Sequence, residues 1–437
     1  MPLPPIPTTI PTISPEAVRD ALRAKREIAL IDVREEDPYA QAHPLFAVQL
    51  SSGRIELDAL WRLPRMDAPI AVYDDGEGLA EPAARRLQAL GYSQIHLLAG
   101  GLAGWRDSGG ELFRDVNVPS KAFGELVEHE LGTPSLPAEE LKALIDSGAD
   151  LVVLDARRFD EYHTMSIPRG TSVPGAELVL RVRALAPNPA TRIIVNCAGR
   201  TRSLIGAQSL VNAGIPNPVA ALRNGTIGWT LAGFELEHGQ TRRFGPVSDA
   251  QRATARAAAQ SLAARAGAVR LDGAGLAAWR ADGSRTLYCW DVRTPEEFAA
   301  GHLPGFGSAP GGQLVQETDV FAAVRGARIV LADDDGVRAA MTAHWLAQLG
   351  WEVAWLADVA ADRFSETGPW QPARAALPEV ALASPAIARY RRPYEGTDNP
   401  RAAMQAYLDW EYGLVAQLAR DGTHGFQVLA VSARTVT

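Results

Sequence analysis

At 437 residues the chain is too long for one hydrophobic core, and about three domains are expected from length alone. Hydrophobic residues make up 47% and charged residues 22%, as in globular proteins, and a net charge of −8 excludes a broad nucleic-acid or acidic-membrane footprint. Two cysteines, Cys197 and Cys289, cannot build a disulfide framework and indicate a reducing compartment; with neither a secretory signal nor an apolar stretch near ~20 residues, the chain reads as cytoplasmic, with no membrane partner.

Residues 1–13 read as an extended Pro-rich arm. A helix opens near Ser14-Pro15-Glu16, a cap followed by proline in the first turn. Strand patterns follow at Ile28–Arg34, Ile70–Tyr73 and Ile95–Leu98, with a helix between the last two that Gly91 closes. The order returns twice. Leu151–Arg157 and Ile193–Asn196 form the second set, with Gly214 closing its helix; Leu287–Arg293 and Ile329–Ala332 form the third, with Gly350 in that role. Asp32 and Asp74, Asp155 and Cys197, and Asp291 and Asp333 are each 42 positions apart. Such a constant offset marks an internal repeat, and strands alternating with helices imply an α/β fold. Each of the three tandem units is expected to be a mainly parallel sheet flanked by helices.

The units fall at 14–118, 119–245 and 266–371, with a helical linker at 246–265 and a partly helical C-terminal extension at 372–437. In the extension, Pro372–Pro385 reads as loop and Ala402–Leu418 as helix carrying Tyr407, Trp410 and Tyr412; it is expected to pack on the third unit or on a partner subunit, which leaves homo-oligomerisation open. The connection from Asp115 to Thr133 is short, so units one and two should pair tightly, with the first facing Cys197.

The most informative stretch is Ile193–Ser203. An apolar β-branched run ends at Cys197, and Ala198, Gly199, Arg200, Thr201, Arg202 and Ser203 lead into a helical pattern running from Ser203 to Ala213. Cys197 then lies at the carboxyl edge of a parallel sheet, where ligands bind, with a helix N-terminus beyond it. Loop N–H groups, the helix dipole and two guanidinium groups are expected to favour a thiolate, with a pKa below the ordinary ~8.5. Cys289, inside an apolar strand, is expected to be buried and inert. Trp105 and Trp229 follow Gly-rich turns at equivalent places and are expected to pack under their sheets.

Asp32–Glu35, Asp291–Phe298, Gly301-His302-Leu303-Pro304-Gly305 and the Cys197–Ser203 loop together resemble the rhodanese family of sulfurtransferases, over roughly residues 14–370. The resemblance implies a two-step exchange. A cysteine takes sulfane sulfur from a small-molecule donor, thiosulfate or a low-molecular-weight persulfide, and passes it to a thiol or cyanide acceptor. It implies no metal or organic cofactor, and the negative net charge speaks against a nucleic-acid partner. Cys197 is then the nucleophile, residues 198–203 its cradle, and Arg202 the family's loop arginine, with Arg200 an extra cation. Asp155 and Arg157 match an Asp-x-Arg signature, read first as a structural brace. Residues 163–170 depart from the family's usual Gly-His-Ile-Pro-Gly pattern, leaving His163 as a candidate on the pocket rim.

Asp74 and Asp333 stand at the nucleophile position of the other copies and mark them as inactive, since a carboxylate forms no persulfide. Cation binding by Asp74-Asp75 or Asp333-Asp334-Asp335 is the lesser alternative. Two other functions compete: a cysteine phosphatase or arsenate reductase, and a non-catalytic regulatory or scaffolding protein. The Cys-to-Arg202 spacing is one residue shorter than the phosphatase loop, and the intact Cys197 opposes a purely scaffolding role.

Overall fold

The computed structural model describes residues 9–374 and 389–430; most of the Pro372–Pro385 stretch read as loop, and the first eight residues of the arm, lie outside them. Among the described residues there are three five-stranded sheets with one topology. In the second the spatial order is Ser135–Leu136, Val219–Leu222, Arg192–Asn196, Leu151–Asp155, Thr171–Ser172, every pair parallel. The first and third sheets repeat this order, and helices cover both faces. The arm is not wholly outside the first unit: Thr12–Ile13 forms an edge strand against Leu97–Leu98.

Register explains the offset of the repeat. Asp155 is the Cα partner of Asn196, Asp32 of Tyr73 and Asp291 of Ala332, so each signature aspartate lies beside the residue preceding position 197, 74 or 333. The helix between the neighbouring strands ends each time at a glycine of positive φ, Gly91, Gly214 and Gly350, where a side chain would be strained. Trp105 and Trp229 are buried, each donating its indole N–H to a carbonyl six residues on, Glu111 and Glu235.

The linker becomes the helix Asp249–Arg265, started by a capping box between Ser248 and Gln251. Its small buried face, Ala255, Ala259 and Ala263, lets it wedge between the helices Leu178–Leu185 and Arg338–Gln348 of units two and three. The C-terminal extension packs differently from expectation. Its helices Arg401–Tyr412 and Leu414–Asp421 lie on the connector helix Val118–Leu131, the first also on the helix Gly225–Leu231 of the second unit. Its last stretch reaches the third unit, where Gln427 and Leu429 N–H groups donate to Gln348. The aromatic residues decide this placement. Tyr394, Tyr407 and Trp410 surround the Lys121 ammonium at 5.1 to 5.4 Å from their ring centres. Lys121 is buried and ion-paired with Asp115 at 2.7 Å.

Candidate active site

Cys197 follows directly on the strand Arg192–Asn196, and the helix Thr201–Asn212 begins four residues later, two residues before the expected start. The loop is fastened from behind. Carbonyls of Cys197 and Ala198 accept from the N–H groups of Thr226 (2.9 Å) and Ile227 (3.0 Å), at the start of the helix Gly225–Leu231. A Cβ on Gly225, whose φ is +54°, would lie 2.2 Å from the Cys197 carbonyl oxygen, so only glycine lets that helix come so close.

The other copies reveal what the loop amides do. In the first, the Asp74 carboxylate accepts from the N–H groups of Gly76 (3.1 Å) and Ala80 (3.0 Å), and also from Leu79. In the third, Asp333 accepts from Gly336 (3.0 Å) and Ala339 (2.9 Å). These amides stand at the positions of Gly199, Arg200, Arg202 and Ser203 in the second copy; burial and the neighbouring Asp335 push the Asp333 carboxyl up. These are local turns capped by a carboxylate, and among the described residues no group of three or more His, Cys, Asp or Glu is placed to hold a metal ion.

Around Cys197 the electrostatics differ from the sequence expectation. The residue is 2% exposed, and its thiol donates to Ser203 Oγ at 3.3 Å, while that hydroxyl donates to the Arg200 carbonyl at 2.8 Å. Burial pushes the Cys197 thiol up, above its ordinary value, against the pull of Arg202 and Ser203. Burial thus opposes the expected depression of the thiol.

The Arg200 guanidinium turns away from the sulfur to Glu125 of the connector helix (2.7 and 2.9 Å) and to Glu128, and stacks 4.0 Å over the Tyr412 ring. It fastens the loop to the connector and the C-terminal helix and is not an anion-facing cation. Arg202 faces the other way. It makes a two-pronged pair with Glu161 at 2.6 and 2.8 Å; burial would raise Glu161, but Arg202 holds it down at about 2.

The remaining predicted residues separate into two groups. Arg157 bonds Asp155 at 2.9 and 2.7 Å and reaches the Met165 carbonyl, and Asn196 donates to the same aspartate. Arg34 with Asp32 and Arg293 with Asp291 repeat this arrangement, down to a carbonyl eight residues on, Ala42 and Gly301. A pair present in copies without the cysteine is a brace of the fold. His163 is exposed, stacks on Phe159 and meets the Gln240 carbonyl. The histidines of the other copies, His43 and His302, stand eleven residues after the signature aspartate, where this copy has Ser166. Cys289 is half-buried rather than fully buried.

A cavity of about 360 Å³ opens beside Arg202. The first unit contributes Glu36 and Asn117, so it supplies part of the wall. Arg157, Arg158 and Glu161 come from the second unit, Gln313, Gln316 and Glu317 from the third, and Arg392 and Tyr394 from the extension. The sequence reading missed Glu161, although Glu297 sits at the same place in copy three and pairs with Arg338 in the same way. Lys121 carried a faint signal as one of only three lysines in an arginine-rich chain. Glu125, Tyr394 and Glu411 carried none.

Three copies of one fold, with Cys197 after the strand of the second and Asp74 and Asp333 at the matching places, accord with the finding that the chain belongs to the rhodanese family. The Rhodanese-like domain model matches it at residues 14–108, 137–232 and 274–358. Among solved structures it is similar to thiosulfate sulfurtransferase from Pseudomonas aeruginosa, with 54% identity and a TM-score of 0.95 over 96% of this chain and 100% of that one. The Alr3790 protein from Anabaena sp. matches at 24% identity and a TM-score of 0.23, over 25% of this chain and 86% of its own. The anaerobic ergothioneine biosynthesis enzyme from Chlorobium limicola matches at 16% identity and a TM-score of 0.26, over 80% of this chain and 96% of its own. No curated protein is significantly similar to it in sequence.

Proposed function

We propose that this protein is a thiosulfate- or persulfide-using sulfurtransferase with one working centre, Cys197, and two inactive copies. Its 54% identity to a thiosulfate sulfurtransferase over nearly the whole chain is the observation that carries the reading. The Cys197 thiolate attacks the outer sulfur of the donor; the donor's S–S bond breaks, and its electron pair leaves with sulfite or with a thiolate. The persulfide's terminal sulfur then occupies the nest that Asp74 and Asp333 fill with carboxylate in the other copies. Attack by a thiolate or cyanide on that sulfur returns the electron pair to Cys197. Ala198 to Ser203 supply the amides, and Arg202 the nearby cation. Asp155 and Arg157 hold the strand end in place. Both cysteines are free, which suits the cytoplasm.

The donor would approach through the cavity beside Arg202, whose rim mixes guanidinium and carboxylate groups. The test is Arg202→Ala. We expect sulfur loading from thiosulfate to slow by about a hundredfold, as when an anion-stabilising donor is removed, while the protein stays folded. An unchanged loading rate would remove Arg202 from the reaction.

A further inference from the structure

The helix Arg401–Tyr412 lays a carboxyl against the active loop that sulfur exchange, as described, does not use. Glu411 is 1% exposed. Its Oε1 accepts from Tyr407 Oη at 2.7 Å, and its Oε2 is buried with no hydrogen-bond partner among the described residues. A Cβ built on Gly199, two residues past Cys197, would lie 3.1 Å from that Oε2 and 3.1 Å from Tyr407 Cε1. The half-satisfied carboxyl is therefore pressed onto the loop that cradles the sulfur. An apolar side chain would fill this space without the desolvation cost of a buried acid.

The charges around it are all in place on neighbouring elements. Glu125 and Lys121 face it from the connector helix, Arg200 from the active loop and Tyr407 from its own helix. Burial first, and then Glu125, push Glu411 up to about 8, against Lys121, Tyr407 and Arg200. Cys197 in turn faces Arg202 and Ser203 on the loop helix and Glu411 on the C-terminal helix; the first two favour its ionisation and the last opposes it.

We propose that Glu411 is a positioning residue of the sulfur-transfer site: its charge, brought to Gly199 by the C-terminal extension, sets how readily Cys197 becomes a thiolate. The inference rests on the reading of Cys197 as the nucleophile. The step it governs is loss of the Sγ proton to buffer, the S–H electron pair staying on sulfur for attack on the donor. While Glu411 is neutral, Arg202 is the dominant charge facing the sulfur. Once Glu411 ionises, a second negative charge on the loop is resisted. The extension is then a part of the working site.

The experiment is the rate of iodoacetamide alkylation against pH on the full chain, in a Cys289→Ser background so that Cys197 alone reacts. Glu411→Gln removes the opposing charge at nearly constant shape. Its alkylation midpoint should move to lower pH by roughly half a unit or more, which is about a threefold gain in rate below the midpoint. Tyr407→Phe removes the hydroxyl that supports ionised Glu411, so the midpoint should move the same way by less. A folded Glu411→Gln protein whose midpoint stays where the parent's lies overturns the proposal. If that variant does not fold, an unmoved midpoint in Tyr407→Phe overturns it instead. Intact mass after thiosulfate separates the two readings. A shifted midpoint without sulfur loading refutes the proposed activity and leaves the role of Glu411 standing, whereas normal loading with an unmoved midpoint refutes Glu411 alone.

Discussion

Two arginines separated by one residue in the active loop do different work. Arg202, beside the cavity, keeps its charge near Cys197 while tied to Glu161; Arg200 is spent on Glu125 and Glu128. Removing Arg200 leaves Glu125 buried and without its cation. Arg200→Ala should therefore lose roughly 3 kcal/mol or more of stability, read by urea unfolding, with a far smaller effect on sulfur loading than Arg202→Ala. The reverse ranking of the two variants would mean that Arg200 turns toward the sulfur in the working protein. At Cys197 the resting thiol is a hydrogen-bond donor to Ser203, and burial keeps it neutral. Its alkylation midpoint in the unmodified protein should therefore lie at or above the ordinary thiol value of ~8.5. A midpoint well below that would show that the loop amides outweigh burial.

Among elements, the Asp-x-Arg brace ties each strand end to the turn after it in all three units. Arg293→Ala leaves Asp291 fully buried without its partner, and should cost on the order of 3–5 kcal/mol while sulfur transfer at Cys197 continues in the folded fraction. Loss of activity in step with a fully retained fold would make the third unit part of the chemistry.

These braces, the strands and the 42-residue offset were legible in the sequence because they depend on short-range order: apolar runs, closing glycines and a repeated register. The position proposed for the nucleophile was legible for the same reason, since Cys197 follows a strand as Asp74 and Asp333 do. What could not be read were contacts made across more than about seventy residues. Glu125 meets Arg200, Glu411 meets Gly199, and Tyr394 walls the cavity, each through packing that no local pattern encodes. Finer details of the site were hard to read for the same reason. His163 was singled out by residue type in a segment that departs from the other copies. The thiol shift was argued from local donors, without the burial that the extension and connector impose.

At the scale of the molecule, the extension, the connector and three units meet around the loop and the cavity beside it, and two acids there, Glu161 and Glu411, respond oppositely to pH. Burial would raise Glu161, yet Arg202 holds it at about 2, below its ordinary 4.5, so its contribution is present above that value and is lost as pH falls toward 2. Glu411 is raised from 4.5 to about 8, so the folded state retains a proton that the unfolded chain has released. Its contribution is full below 4.5 and is lost as pH rises through 8. Urea unfolding across that interval should therefore show a decline in stability for the parent protein that Glu411→Gln flattens. A decline of equal size in both proteins would place its source elsewhere.

The central claim is that sulfur is carried on Cys197 and nowhere else in the chain. Intact mass spectrometry after exposure to thiosulfate, on the parent, Cys197→Ser and Cys289→Ser proteins, tests it most directly. One added sulfur is expected on the parent and on Cys289→Ser, removable by cyanide, and none on a folded Cys197→Ser protein. Sulfur retained by Cys197→Ser, or lost in Cys289→Ser, would contradict it.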